Sequence, residues 1–266
     1  MFLSMLRDLL SVHTGKLFVE LDVRLMPLFK RSFPTVTFLP TGKVPPNIFD
    51  VQMPMGDLGK FFRPSESAFG GGASYLKADR ADVELIREKI NPERKFLIGV
   101  SWISKNPSTG IRKSMPTERF FSMFKGIDGV KIASLQYSDA NTEFFEEAKK
   151  ANLDVADTSF VDKFNDIDRL ASLVSACDLV ISISNVTVHL AGALGKPCWL
   201  LLPAVADWRW RKEITYSPWY SCLKLYRQTE PKNWTNVCSQ VQADLTKRLE
   251  TFDLEVERLR MLANGK

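Results

Sequence analysis

Residues 178–183 (DLVISI), 184–195 (SNVTVHLAGALG) and 198–202 (CWLLL) decide the fold. The first and third runs are apolar at nearly every position, without the alternation of a strand that has one wet face. They read as strands buried on both faces. The short helix predicted over 186–194 lies between them. Strand, helix and strand in that order, with both strands fully buried, predict a parallel, doubly wound α/β sheet.

The same alternation extends in both directions. Upstream, 96–102 (FLIGVSW), 130–136 (VKIASLQ) and 153–156 read as strands. Between them lie a basic loop at 104–114, a helix through Phe120, Phe121 and Phe124, a charged helix at 141–151 and a helix at 167–176. Downstream, 223–226 reads as one more strand. From Thr235 no breaker appears until Asn264-Gly265, which predicts a long helix, interrupted near Asp253 and reaching beyond its own domain. The first half is looser. Helices are predicted at 1–12, 27–32 and 82–90, strands at 16–21, 36–39 and 49–53, and a loop-rich stretch at 56–74, before a turn at Asn91-Pro92. The expected organisation is an N-terminal Rossmann-like unit over 1–90 and a second over 91–240, with a helix at 241–266 packing back on the first. Such units open with a strand whose following loop meets the ligand. Here the first strand follows a helix. Either an added helix opens the chain, or the first strand and its loop lie upstream of Met1.

Composition narrows the classes further. The chain has 266 residues, 45% hydrophobic and 25% charged, enough for one large core or two modest ones and unlike a disordered chain. A net charge of +5 suits anionic ligands without choosing among nucleotides, phosphosugars, nucleic acid or acidic lipids. Basic residues are dispersed and not interleaved with aromatics, which disfavours nucleic acid. The four cysteines lack metal-type spacing and read as reduced thiols of a cytoplasmic protein. With only His13 and His189, a histidine-rich metal site is excluded, although carboxylate-bound magnesium is not. No apolar run approaches the roughly 20 residues of a membrane span, and residues 1–12 read as an amphipathic helix, not a signal peptide.

Ligands of open parallel sheets bind beyond the carboxyl ends of the strands. That rule selects Ser184, Asn185, Thr187 and His189 at the start of the 186–194 helix, where backbone N–H groups and the helix dipole favour an anion. The bland alternative is a helix capped by Ser184 or Asn185, with His189 a satisfied half-buried residue. Ser101 and Lys105, after the 96–102 strand, can grip a diphosphate with Arg112 and Lys113 adding positive field, or form a solvated loop. Gln136 and Tyr137 end the next strand. Asp207, Trp208 and Arg209, with the other tryptophans and Tyr220 nearby, offer flat faces and polar anchors for a base or sugar, or else plug a gap between domains.

These stretches together resemble the heptosyltransferase-like family, glycosyltransferase family 9, particularly the glycosyltransferase domain of tetratricopeptide-repeat proteins. The resemblance rests on Asp178 to Ser182, Val188 to Pro197, Trp199 to Pro203, Asp207 to Trp210, Ser217 to Tyr220, Ile98 to Trp102 with Lys105-Asn106, and Arg112 to Pro116. It is best over residues 95–240 and colinear, though weaker, from residue 1 to 79.

The resemblance implies a GT-B architecture and metal-independent, inverting transfer from a nucleotide sugar, with no cofactor and an acceptor that is a glycan, lipid-linked or a protein. It implies that Ser101, Lys105, Ser184, Asn185, Thr187 and His189 hold the donor phosphates. Gln136, Tyr137, Asp207, Trp208 and Arg209 are expected around the base or sugar. It also implies a location in the cytoplasm, peripheral at the inner face of the membrane. Many members carry Asp-Thr where this chain has Ser184-Asn185. The family's opening Gly-x-Gly-Asp loop, whose aspartate is the expected base, has no match here and is expected upstream of Met1. On that ground the chain is expected to bind donor but transfer poorly. The alternatives are a non-catalytic nucleotide-sugar-binding or protein-interaction module of a larger repeat protein, or hydrolysis or epimerisation of a nucleotide sugar on the same architecture.

Overall fold

A computed structural model describes residues 1–45, 47–137 and 141–263. A 3-10 turn at Phe2–Met5 runs into helix α1, Leu6–Val12. Strand β1 (Phe18–Leu21), helix α2 (Met26–Ser32) and strand β2 (Thr37–Pro40) follow, and the two strands pair in parallel. Short turns then include α3 (Gly59–Phe62) and a 3-10 segment at Glu66–Gly72, before α4 (Arg80–Ile90). The remainder supplies β3 (Phe96–Ser101), α5 (Gly110–Lys113), α6 (Thr117–Phe121), β4 (Val130–Ser134), α7 (Asn141–Lys150) and β5 (Asp154–Ala156). After these come α8 (Ile167–Ala176), β6 (Leu179–Ile183), α9 (Val186–Leu194), β7 (Cys198–Leu202), β8 (Tyr216–Ser217), β9 (Tyr220–Arg227) and α10 (Thr235–Ala263).

The large sheet has the order β5-β4-β3-β6-β7-β9-β8, parallel except for the β8–β9 edge pair. Every residue of β3, β4 and β6 is buried, as strands covered on both faces require, and the one charged member, Lys131 of β4, is paired with Glu93. Alternate side chains feed two cores. Leu97, Leu135, Val180 and Leu200 join the helices α8 and α9 on one face. Ile98, Ile132, Ile181 and Leu201 join α6, α7 and α10 on the other.

The first core continues without a break into the N-terminal half, through Leu6, Val19, Leu28, Phe29 and Phe38. That half is also tied down by polar contacts. Arg31 pairs with Asp168 on α8, and Arg24 donates to the Phe164 carbonyl at 3.0 Å. The backbone N–H groups of Tyr75 and Leu76 both donate to the Ala193 carbonyl near the end of α9, at 2.8 and 2.9 Å. Gly72 makes the approach to β9 feasible. Its φ is +64°, and a Cβ there would lie 2.6 Å from the Tyr220 nitrogen.

Four expectations change. Residues 49–53 form no strand; they lie between Pro45 and Pro54, and Val51 and Met53 face water at 79% and 46% exposure. The 56–74 loop is wound into short helical turns. The expected strand at 223–226 extends to eight residues, Tyr220–Arg227. Helix α10 passes through Asp253 without interruption, since one aspartate costs a helix only a few tenths of a kcal/mol. Through Phe252, whose ring meets Phe96 at 5.0 Å, α10 packs on the second core. Asn264 and Gly265 lie outside the described residues. Among the described residues no helix is long and apolar enough to cross a membrane.

Gly192 is the tight point of α9, where an added Cβ would sit 2.4 Å from the Tyr220 ring. Gly192→Ala gains up to about 1 kcal/mol of helix propensity but overpacks a filled core at roughly 1–3 kcal/mol. The expected outcome is a net loss in urea-unfolding stability, and an unchanged or raised midpoint would contradict the packing.

Candidate functional site

The carboxyl ends of β3, β6 and β7 stand side by side, with Ser101 opposite Ser182 and Ser182 opposite Leu200. The loops that leave them therefore converge on the start of α9. Asn185 is the cap of that helix. Its Oδ1 accepts from the Thr187 N–H at 3.0 Å and from Ser182 Oγ at 3.2 Å, while its Nδ2 donates to Ser101 Oγ at 2.7 Å. Ser101 in turn donates to Gln136 Oε1 at 3.1 Å. The same oxygen accepts the Trp102 and Ile103 N–H groups, and Gln136 Nε2 donates to the Ile103 carbonyl. Ser184 accepts a 2.8 Å bond from Trp210 Nε1.

The structure thus brings together Ser101, Gln136, Ser184 and Asn185, and spends much of their bonding capacity on one another and on the loop backbone. Ser101, Gln136 and Ser184 are buried. Thr187, in the first turn of α9, is fully buried, and its hydroxyl has no hydrogen-bond partner among the described residues. Such a group costs on the order of 1–3 kcal/mol.

Around this network lies a basic rim. Lys105 is exposed, and its backbone N–H donates to the Tyr137 hydroxyl at 3.2 Å. Lys113 Nζ and Arg209 both reach Asp207 Oδ2, at 2.8 and 3.1 Å. Burial alone would raise the Asp207 carboxyl, but the Lys113 hydrogen bond and the charges of Lys113 and Arg209 outweigh it and hold it below the ordinary range. A cleft of about 130 Å³ opens here, lined by Thr109, Arg112, Lys113, Pro203, Val205 and Asp207. Beside it is a larger cavity of about 360 Å³, with Glu66, Phe69, Trp208, Arg209, Arg211 and Trp219 in its walls.

His189 stacks on Trp210, centroids 5.3 Å apart, and its Nδ1 meets the Tyr220 hydroxyl at 3.1 Å. Burial, then the Met1 amino group, Arg209 and Lys113, lower its pKa to about 3, against the opposing Asp207. At neutral pH it is an uncharged imidazole with one N–H to donate.

The tryptophans differ in their surroundings. Trp210 is fully buried and serves Ser184. Trp219 is buried against Phe2 and Phe69, joining the two halves of the chain. Trp208 remains 64% exposed beside the larger cavity.

No protein-family model matches the chain. By sequence it is similar to protein FlbA of Caulobacter vibrioides, at 29% identity over 264 residues, covering 92% of this chain and 44% of that protein. The chain thus spans less than half the length of that curated relative. By structure it is similar to the E. coli ADP-heptose LPS heptosyltransferase II, with a TM-score of 0.59, 13% identity and 95% of each chain covered. It is similar also to a family 9 glycosyl transferase from Veillonella parvula, with a TM-score of 0.52, 14% identity and 96% and 78% covered. The fold is heptosyltransferase-like.

In this GT-B-like arrangement the residues that sequence reasoning underweighted are Lys113, Tyr220 and Glu66. Lys113 stood in the basic loop as background field, and only its pairing across to Asp207 places it at the cleft. Tyr220 was read as a flat face, whereas it is the hydrogen-bond partner of His189. Glu66 sits in a glycine-rich stretch, and its partners Arg211 and Tyr216 are distant in sequence.

Two measurements check the geometry. Asn185→Ala removes a cap worth about 1 kcal/mol and the bond to Ser101, so a loss of roughly 2 kcal/mol is expected in chemical denaturation. Because the folded chain holds His189 neutral while an unfolded histidine titrates near 6.5, its contribution is complete above about pH 6.5 and is lost as pH falls toward 3. The difference in stability between the parent chain and His189→Asn should change by up to about 1.4 kcal/mol per pH unit in that window. A constant difference would mean that His189 is protonated in the fold.

Proposed function

We propose that this chain is a sugar-transferase unit that grips a nucleotide-activated sugar by its diphosphate, between the start of α9 and the basic loops after β3 and β7. The reaction is metal-independent, inverting displacement of the nucleoside diphosphate by an acceptor hydroxyl. The observation that carries the reading is the basic cleft that Arg112 and Lys113 line with Asp207, to which both Lys113 and Arg209 are paired. A departing diphosphate gains negative charge, and fixed cations with helix N–H groups stabilise that charge in the transition state more than in the ground state.

In this reading Ser101, Gln136, Ser184 and Asn185 position the loops, while Lys105, Arg112 and Lys113 meet the phosphates. Lys113 exchanges Asp207 for phosphate oxygens. Thr187 supplies a hydroxyl with no hydrogen-bond partner among the described residues, and His189, as the tautomer whose Nδ1 accepts from Tyr220, donates its Nε2–H. An approaching dianion raises the affinity of His189 for a proton, because it opposes the cations that now depress it. Tyr137, whose hydroxyl accepts from the Lys105 backbone N–H, borders the basic loop on the side of the base or sugar.

The mutual satisfaction of Ser101, Gln136 and Asn185 favours a second reading, a nucleotide-sugar-binding module without turnover. Calorimetry with ADP, UDP and their sugars tests both readings, and a transfer assay separates them. Lys105→Ala and Lys113→Ala should each weaken diphosphate binding by about 1.5–3 kcal/mol, the usual worth of a charge-assisted contact. Full affinity in both variants would remove the basic loop from the site. Binding without any turnover would leave the module.

A further inference from the structure

The larger cavity, between the Glu66–Gly72 segment and the loop after β7, has about 360 Å³, within the roughly 300–1,000 Å³ of small-molecule pockets. Its apolar walls are Phe69, Trp208, Pro218 and Trp219. Trp219 meets Phe69 edge to face at 4.7 Å and Trp208 at 6.5 Å. Trp208 keeps 64% of its surface in water, so a large flat apolar face stands open at the mouth of a pocket. The polar part of the lining is a carboxylate and two guanidinium groups, those of Glu66, Arg211 and Arg209. Glu66 accepts from both Arg211 and Tyr216, and these hydrogen bonds, Tyr216 first, hold its carboxyl below the ordinary range, so it is ionised at neutral pH.

We infer that this pocket binds the ring of a neutral sugar, and that this sugar is the acceptor. The word acceptor rests on the transferase reading above; the sugar site does not. Three features select the ligand. An exposed indole offers a flat face to the C–H side of a pyranose. The Glu66–Arg211 pair sets acceptor oxygens beside guanidinium donors, which suits neighbouring hydroxyl groups that each give and take a hydrogen bond. The Glu66–Arg211 ion pair carries no net charge of its own, which suits an uncharged ring. The two pockets share one wall. Arg209 lines the larger, and it bonds to Asp207, which lines the smaller. A sugar ring in one thus lies beside a diphosphate in the other.

Saturation-transfer NMR on the full chain with a panel of methyl pyranosides tests this. The expected result is transfer concentrated on ring C–H protons for at least one glycoside, with the dissociation constant raised ten-fold or more in Trp208→Ala and in Glu66→Gln. Both side chains are solvent-exposed, and an unchanged melting temperature in each variant excludes misfolding. Saturating ADP or UDP should leave glycoside binding in place. No transfer, equal transfer in both variants, or displacement by the nucleotide would overturn the inference, the last by giving the pocket to the base. Glycoside binding without any nucleotide binding would sink the transferase reading and leave the sugar site standing. The same glycoside joined to a peptide or to a short lipid separates a free glycan from an anchored one, both of which use the same ring.

Discussion

One side chain holds the carboxyl end of the sheet together. Asn185 caps α9 with its oxygen and reaches across to the end of β3 with its nitrogen, at 3.0 and 2.7 Å. Ser101 passes the connection to Gln136 at the end of β4, and Ser184 receives Trp210 from the loop after β7. Loops after four strands are thereby fixed relative to one helix start. An aspartate can cap a helix as well as an asparagine, but it has no N–H to give Ser101. An alanine would release both ends. The basic rim is useful only because this buried network fixes the backbone from which Lys105, Lys113 and Arg209 project.

The other end of α9 is held as firmly. Its Ala193 carbonyl takes the N–H groups of Tyr75 and Leu76, and Gly192 lets Tyr220 pack against the helix flank. Tyr220 in turn meets Nδ1 of His189 at 3.1 Å. The segment joining the two halves is therefore tied to the helix that carries His189, beside a core that both halves share.

Much of this was legible in the sequence because a parallel sheet buries both faces of its strands. That burial makes 178–183 and 198–202 unbroken apolar runs, and the helix between them was read to the residue. Residues 49–53 misled because a short segment with three apolar residues looks like a strand, whereas the fold leaves Val51 and Met53 in water. At the site, the carboxyl-end rule found Ser101, Gln136 and Asn185. It did not show that they satisfy each other, since that depends on the register between β3, β4 and β6. The tryptophans looked equivalent as letters. Only the tertiary neighbours separate buried Trp210 and Trp219 from open Trp208. Glu66 gave no local signal, because both its partners lie beyond β7 in the chain.

Amide chemical-shift mapping of the isotope-labelled chain with ADP and UDP bears on the central claim most directly. If the start of α9 and its basic rim receive a diphosphate, the largest shifts fall on Val186 to Val188 and on Ile111 to Lys113. Shifts confined to other surfaces, or none at millimolar nucleotide, would contradict it.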